Sequence, residues 1–306
     1  MATMTAAAAD YLRLRRALGH RLEWDGRLLA EFARHLDERG IMRLTTHEAL
    51  AWSAVSTTGA AGSVAHRLTV IRGFARYLAA FDPGTEIPPR ELFPAKVVRR
   101  VPYIFTAEQV DALIAAAAQL TPPLHAATFT TLIGLMAATG LRTSEALRLD
   151  STDVDAADGQ LLVRCSKFGK TRHLPLHPST ITALERYLAE RGTSPTLLLF
   201  LDADHRPLHR NGEPAATFRR LLSRVGITVM AGRRPPRLHD LRHTFAVTTM
   251  RDWHATGADV DARLAVLSTY LGHLNPTYTY WYLQAVPELM SVLGHRVEDY
   301  LADGAP

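Results

Sequence analysis

Cysteine is almost absent from the sequence, since Cys165 is the single one among 306 residues. One thiol cannot form an internal disulfide, which excludes the small disulfide-stabilised folds typical of secreted proteins. A shortage of cysteine is common in proteins that work in a reducing compartment. We therefore expect a cytoplasmic location.

Long apolar runs are absent as well. The longest stretch, around residues 132–141, is interrupted by Gly134, Thr139 and Gly140. It is too short to span a membrane and predicts a buried helix instead. The N-terminal segment lacks the apolar core of a signal peptide, so no membrane partner is expected. Hydrophobic residues still make up 47% of the chain, which is enough to form a core in each of two domains.

Acidic residues are outnumbered by basic ones. The 30 Asp and Glu residues face 35 Lys and Arg residues, which leaves a formal net charge of +5. Most of the basic residues are arginines, whose planar fork of donors matches the geometry of phosphate. This balance fits a nucleic acid or another anionic partner. A basic soluble protein without such a partner has the same composition, so charge alone does not decide.

The apolar pattern divides the chain into two parts with a proline-rich segment between them. Residues 1–80 carry two apolar stripes at helical spacing, which predict a helical first domain. Residues 81–103 contain five prolines and predict a linker. Residues 104–306 form the second predicted domain. Its last part, about 286–303, predicts an amphipathic tail helix.

The second domain is predicted to be helical with a small sheet. Thr106 and Gln109 have the spacing of a capping box, and a later apolar helix is predicted to end at Gly140. Residues 160–165 and 172–176 predict two strands of a hairpin. The predicted fold class is therefore mainly α with a small β-sheet. Further helices are predicted over residues 178–191, 214–225, 239–253 and 259–272.

Four short pieces of the second domain concentrate side chains that bind phosphate or transfer protons. Each residue also has a structural explanation when it is considered alone, because a surface arginine or a solvated lysine in a turn is common. The pieces are TGLRTSEAL at 139–147, SKFGKTRHLPL at 166–176, HDLRHTF at 239–245 and LGHLNPTYTYWYL at 271–283.

Two other sites compete for the same residues. His239 and His243 are four positions apart, the spacing of a two-histidine zinc site on a helix. However, Asp240 stands where the glutamate of that motif belongs, and a third ligand is not evident, so no metal is expected. The GKT at residues 169–171 is typical of a phosphate-binding loop, but Arg164 occupies the place of the required first glycine. We therefore reject a nucleotide-binding loop.

In their order and separations, the four pieces resemble the tyrosine recombinase, or phage integrase, family. The resemblance covers about residues 105–285 through motifs, and residues 10–80 only through helical character. The residues that match the family's motif are the first arginine Arg142, the acidic residue Glu145, the hairpin lysine Lys167, His239 and Arg242 of HDLRH, and His273 of LGH.

The family's nucleophile is a tyrosine that usually lies nine residues beyond the last histidine. Counting from His273 selects Tyr282, with Tyr280 as the second choice. These residues alternate with Tyr278 and lie beside Trp281, so aromatic packing is a sufficient explanation for two of the three tyrosines. The approach NPTYTY departs from the threonine-rich segment usual in the family, which affects the local backbone path but not the count.

The resemblance implies a helical core-binding domain followed by a mixed α/β catalytic domain. It also implies a site-specific recombinase that cuts and rejoins DNA strands through a 3′-phosphotyrosyl intermediate without a cofactor. Two arginines would clamp the phosphate oxygens and stabilise developing charge. The histidines and Lys167 would move protons, and Tyr282 would attack the phosphorus.

The resemblance further implies double-stranded DNA with inverted-repeat sites as substrate and a tetramer assembled on DNA through the C-terminal tail. A role in a mobile element is expected. Three alternatives remain: a type IB topoisomerase, a DNA-binding regulator without catalysis, and a metal-dependent nuclease that uses His239 and His243. Basic residues expected to contact DNA are Arg72, Arg76, Lys96, Arg99, Arg100 and Lys170.

Overall fold

The chain forms two compact units, Met1–Arg99 and Arg100–Pro306. Each unit buries its own hydrophobic core. In the part of the chain that the structure describes, no helix is both long and apolar enough to cross a membrane. The computed structural model describes residues 3–20, 22–55, 61–92, 101–164, 171–208, 212–228 and 234–273.

The described part of the first unit is helical, as the apolar stripes predict. Leu29, Phe32 and Leu36 are fully buried at the predicted helical spacing. The Asp37 carboxylate accepts hydrogen bonds from the backbone N–H groups of Met4 and Thr5, which ties the start of the first helix to the second. The helices are α1 Met4–Ala17, α2 Glu23–Glu38, α3 Thr46–Val55 and α4 Ala61–Ala79.

The second unit begins with helices that enclose its core. The capping box predicted at Thr106 and Gln109 is present and starts α5, Ala107–Ala117. The next helix, α6, runs over Pro123–Thr139 and ends at Gly140, as predicted. It packs against α5 and later helices, and its burial on several sides explains its mainly apolar sequence.

A short helix, α7 Thr143–Ala146, leads into a three-stranded antiparallel sheet in the order β1-β2-β3. The two predicted strands are confirmed as a hairpin, in which Leu161 pairs with Leu174 and Val163 with Arg172. The two-residue first strand was not predicted, because two residues carry no readable alternation. The strands are β1 Val154–Asp155, β2 Gln160–Val163 and β3 Arg172–Pro175.

The remaining described helices agree with the predicted segments to within two residues at each end. Together with the small sheet they confirm the mainly α fold class. They are α8 Pro178–Arg191, α9 Glu213–Arg224, α10 Leu238–Ala255 and α11 Val260–Leu271. Helices α10 and α11 pack together around Val247, Met250 and Leu264. This contact brings the HDLRH and LGH motifs close in space.

Candidate active site

The turn between α6 and α7 positions the first arginine. Gly140 ends α6 with φ of 61°, a left-handed conformation that glycine adopts without steric cost. A Cβ atom at this position would lie 2.5 Å from Cδ1 of Phe245, so a side chain does not fit. The tight turn places Arg142 at the N-cap of α7, three residues before Glu145 in the first helical turn.

The N-terminal half of α10 carries the HDLRH motif. The Asp240 carboxylate accepts a hydrogen bond of 2.7 Å from the Arg237 backbone N–H and so fixes the start of the helix. From that start, Arg242 points inward and is only 1% exposed, while His239 and His243 are partly buried. A buried arginine requires acceptors for its N–H groups.

The C-terminal end of α11 supplies these acceptors to three arginines. Arg172 Nε donates to the Tyr270 carbonyl at 2.9 Å and Arg242 Nη2 to the Leu271 carbonyl at 2.8 Å. Arg142 Nη2 donates to the Gly272 carbonyl at 2.9 Å. These carbonyls lack partners within the helix and carry the negative end of its dipole, so cations are favoured there. Three consecutive carbonyls thus hold three guanidinium groups side by side.

Glu145 lies among the same arginines. Its side chain is 1% exposed, and its carboxylate lies 2.7 Å from Arg142 Nη1, 3.0 Å from Arg172 Nη2 and 4.0 Å from Arg242 Nη1. Burial acts to raise the pKa of Glu145, but hydrogen bonds and charge from Arg172 and Arg142 outweigh it and lower the pKa to about 2. The carboxylate is therefore ionised at neutral pH.

Two histidines lie beside the arginines in neutral form. Arg242 Nη2 donates to His273 Nε2 at 3.0 Å, which places the ring proton on Nδ1 because a guanidinium has no acceptor. Burial, followed by the charges of Arg242 and Arg142, lowers the pKa of His273 to about 3 and that of His239 to about 4. Both imidazoles are therefore neutral at pH 7.

His243 and Asp240 border the cluster. Burial, then the neighbouring His239, lowers the pKa of His243 to about 3. Burial raises the pKa of Asp240 to about 6, although the charge of Arg234 opposes this. His243 Nε2 lies 4.0 Å from Asp240 Oδ1. The charge of this pair therefore changes in mildly acidic solution.

The geometry gives no support to the zinc site. The rings of His239 and His243 meet edge to face, with centroids 4.9 Å apart and planes at 87°. Within the described ranges, no three His, Cys, Asp or Glu side chains are grouped so that they could hold a metal ion.

The structure brings together five of the predicted site residues: Arg142, Glu145, His239, Arg242 and His273. The other predicted residues of this unit and of the linker lie outside the described residues, as does the predicted tail helix at 286–303. Those residues are Lys96, Arg99, Arg100, Lys167, Lys170, Tyr278, Tyr280 and Tyr282.

The two basic residues predicted on α4 lie in different surroundings. Arg72 is 9% exposed, and it donates from Nε to the Pro88 carbonyl at 2.7 Å and from Nη2 to the Pro89 carbonyl at 2.9 Å. It therefore ties the segment after α4 to the helix. Arg76 is exposed, as a residue that contacts phosphate needs to be. Their contacts with DNA stay predictions.

Arg172 is a member of the cluster that we did not predict. Its neighbour two positions along the strand, Leu174, is fully buried. Because alternate residues of a strand share a face, this pattern places Arg172 on the inner side as well. The sequence signal that could have identified Arg172 is an arginine at an inward-facing position of a short strand.

The known structures that resemble this one define its class. The Tn1549 transposon integrase in complex with circular intermediate DNA matches with a TM-score of 0.65 over 97% of this chain and 100% of that chain, at 16% identity. XerH site-specific recombinase bound to palindromic difH substrate matches with a TM-score of 0.63 over 84% of this chain and 74% of that chain, at 18% identity. The fold is that of the tyrosine recombinases.

Sequence comparison then identifies the family. The model of the phage integrase family matches residues 104–288. A protein of Sinorhizobium fredii named as integrase/recombinase y4rB is 37% identical over 97% of this chain and 98% of its own length. Tyrosine recombinase XerD of Mycobacterium tuberculosis is 30% identical over 89% of this chain and 90% of its own. The chain belongs to the phage integrase family and is a site-specific recombinase.

Proposed function

We propose that this protein cuts and rejoins DNA strands at specific sites through a 3′-phosphotyrosyl intermediate, with Tyr282 as the nucleophile. The observation that supports it most is the convergence of Arg142 and Arg242 on one buried carboxylate and one helix end, beside His239 and His273. A guanidinium pair at a helix end with neutral imidazoles is suited to a phosphodiester, whose anionic oxygens otherwise repel a nucleophile.

The arginines bind and neutralise the scissile phosphate. Arg142 uses Nη1 for Glu145 and Nη2 for the Gly272 carbonyl, and its side chain is 19% exposed. A guanidinium has five N–H groups, so donors remain for phosphate oxygens. Glu145 holds the fork of Arg142 in place before DNA arrives, which removes the cost of orienting it during the reaction. Negative charge that develops on the oxygens is then stabilised by groups already in position.

The histidines and Lys167 handle the protons. A neutral His239 accepts the proton of the Tyr282 hydroxyl as its oxygen attacks phosphorus, while His273 can donate its Nδ1–H in a hydrogen bond. Lys167 protonates the departing 5′-oxygen, so one phosphate ester bond forms as another breaks. A bound phosphate adds negative charge beside the histidines and raises their low pKa values towards neutrality, which makes them better bases in the complex.

The substrate and assembly are further parts of the proposal. We infer double-stranded DNA with inverted-repeat sites, since XerH, a structural neighbour, is described as bound to a palindromic substrate. Residues 1–80 would clamp DNA through Arg76, and the linker 81–103 would contribute Lys96, Arg99 and Arg100. We place the reaction in the cytoplasm and the gene in a mobile element.

A covalent-adduct assay tests the proposed reaction. The protein first selects its site from a random-sequence duplex pool, and a nicked duplex with the selected sequence then traps the cut strand on the protein. We expect an adduct in the presence of chelator, and exchange of strands between two sites. An adduct that depends on a metal would overturn the mechanism. Relaxation of supercoiled DNA without any two-site exchange would favour a topoisomerase.

The C-terminal tail is proposed to dock on a neighbouring subunit. In the sequence 286–303, apolar residues recur at helical spacing and leave one face to be covered. Deleting residues 286–306 should leave binding of one protomer to a half-site intact and abolish tetramers on paired sites, as measured by native gel shift. A truncated protein that still forms tetramers and recombines would contradict docking between subunits.

A further inference from the structure

We propose that Arg172 is a positioning residue, which sets the places of Arg142 and Arg242 through Glu145 and through the C-terminal end of α11. The inference rests on the proposed cleavage reaction. It adds a residue of the SKFGKTRHLPL piece that was not among the predicted site residues, and assigns it a task that does not require contact with DNA.

Arg172 links three parts of the site with one side chain. Its Nη2 and Nη1 lie 3.0 and 3.3 Å from the two oxygens of Glu145, which is a bidentate pair. Its Nε donates to the Tyr270 carbonyl at 2.9 Å. The side chain is 13% exposed, so solvent competes little for these bonds. Strand β3, helix α7 and the end of α11 are thereby fastened together.

The fit of Arg172 against the helix end is close. A Cβ atom on Gly272 would lie 2.9 Å from Arg172 Nη1, and Gly272 has φ of 69°. Glycine therefore serves two purposes there, since it adopts the left-handed conformation that ends α11 and leaves room for the guanidinium. The residue after it is His273, whose backbone N–H donates to the Ser268 carbonyl at 2.9 Å. Arg172 thus borders the turn from which His273 projects.

Glu145 connects Arg172 to the phosphate-binding arginines. The charged and titratable groups that act on this carboxylate come from every side: Arg142 on its own turn, Arg172 on β3, Arg242 and His239 on α10, and His273 after α11. Without Arg172 the carboxylate stays buried but loses its bidentate partner. Arg142 is then left as its nearest cation, and protonation of Glu145 becomes easier.

Variants at Arg172 test the role in the full-length protein on the nicked duplex described above. Arg172→Met keeps the length of the side chain and removes the charge and the fork. We expect adduct formation at pH 7 to slow on the order of 100-fold, as for a misplacement of about 1 Å in a reacting group. DNA binding before cleavage should remain within about threefold of wild type, because the donors of Arg172 are used for Glu145 and the Tyr270 carbonyl. Arg172→Lys should recover part of the rate.

Arg164 provides the matched control. It follows Val163, the residue of β2 that pairs with Arg172, and also pairs with a buried carboxylate, that of Asp153 at 2.6 Å, but outside the cluster. Arg164→Met should leave the cleavage rate and its pH dependence unchanged, even if it lowers the melting temperature.

The pH profile separates positioning from mere folding. In wild type Glu145 is ionised down to about pH 2, so its protonation does not limit cleavage in the usable range. In Arg172→Met the acid side of the profile should move to higher pH by roughly 1 to 3 pH units, the effect of removing one close opposite charge. Combining Arg172→Met with Glu145→Gln should slow cleavage less than the product of the two single effects.

The outcomes are distinct. If wild type forms no adduct, the proposed function fails, whatever Arg172 does. If wild type forms the adduct and Arg172→Met matches it in rate, the positioning role is overturned. A slow Arg172→Met variant also overturns the role if two further results are found together. Its pH profile keeps the wild-type shape, and the cleavage rate of the double variant with Glu145→Gln falls by the full product of the two single effects.

Discussion

Among the described residues of the second unit, two places bury an arginine, and the contrast shows what distinguishes the candidate active site. At the end of α8, Arg191 is 6% exposed. It donates to the main-chain carbonyls of Leu199, Gly192, Thr196 and Leu198 at distances from 2.7 to 3.2 Å. Its acceptors are neutral and lie in one local loop, so Arg191 stabilises that loop.

Arg242 is buried just as deeply but is placed differently. It donates to the carbonyls of Gly140 and Leu271, which come from two distant parts of the chain. It also contacts His273 and lies 4.0 Å from Glu145. Convergence of distant segments, a shared carboxylate and neutral histidines make this site suitable for chemistry. Burial of an arginine alone does not.

The largest expected difference between the two places is in cleavage. Arg242→Ala or Arg142→Ala should slow adduct formation by about 100- to 1000-fold, as expected for loss of one strong donor to a transition state. Arg191→Ala should instead lower the free energy of unfolding by at least about 1 to 3 kcal/mol, because buried carbonyls lose their donor. Its cleavage rate, measured at a temperature where it is folded, should match wild type. Near-normal cleavage by Arg242→Ala would remove the distinction.

Replacement by lysine sharpens the same comparison. Arg142→Lys and Arg242→Lys keep the charge but cannot bind a carboxylate, a carbonyl and a phosphate with one planar fork. We expect less than about a tenth of the wild-type cleavage rate, short of the loss caused by alanine. DNA binding measured by gel shift serves as the control. Full activity of either variant would show that charge alone suffices.

Glycine substitutions compare the packing of the site with an open turn. Gly140→Ala introduces a Cβ atom that would lie 2.5 Å from Phe245. Gly226 has a similar φ of 69°, but a Cβ atom there would meet no atom of the described residues within 4 Å. Gly226→Ala should cost about 1 to 2 kcal/mol from backbone strain alone, and Gly140→Ala should cost more. Equal losses in urea unfolding would mean that the close contact at Gly140 relaxes freely.

Acid sensitivity should come from the candidate site, because carbonyls around Arg191 do not titrate. The pKa of His243 is lowered to about 3, so in acid the unfolded chain binds a proton that the folded protein excludes. Stability is then lost as pH falls from 6.5 towards 3, and His243 accounts for a slope of up to about 1.4 kcal/mol per pH unit. His239 and His273, whose pKa values are also lowered, add to this loss. Asp240 acts in the opposite direction, since its raised pKa adds stability below about pH 6.

His243→Gln tests that expectation. Removing the histidine should make the decline of unfolding free energy between pH 6.5 and 4 shallower by up to about 1.4 kcal/mol per pH unit, the part that His243 contributes. An unaltered slope in His243→Gln would show that another group controls acid unfolding.

Much of this site was predictable because its functional residues lie in short local motifs. TGLR predicted a helix end followed by an arginine, and HDLRH predicted His239 and Arg242 on one helix. The carbonyl groups that accept hydrogen bonds from these arginines were not predictable. Arg142, for example, donates to the Gly272 carbonyl at the end of α11, which lies 130 positions away in the sequence. Arg172 was missed for the same reason, because its partners come from α7 and α11.

The surroundings of Arg72 show another limit of prediction from sequence. Its position on the edge of an apolar stripe predicted a residue facing solvent and DNA. The structure shows that a segment rich in proline returns over α4, and prolines offer carbonyls without competing N–H groups. Sequence periodicity describes one helix at a time and does not report which segment covers it.

Identification of the covalently modified residue tests the central claim most directly. Adduct formed on the nicked duplex is digested, and the peptide that carries the nucleotide is sequenced by mass spectrometry. We predict attachment of a 3′-phosphate to Tyr282, and no adduct from Tyr282→Phe although that variant binds DNA as wild type does. Attachment to Tyr280 or Tyr278, or an adduct that persists in Tyr282→Phe, would contradict the assignment.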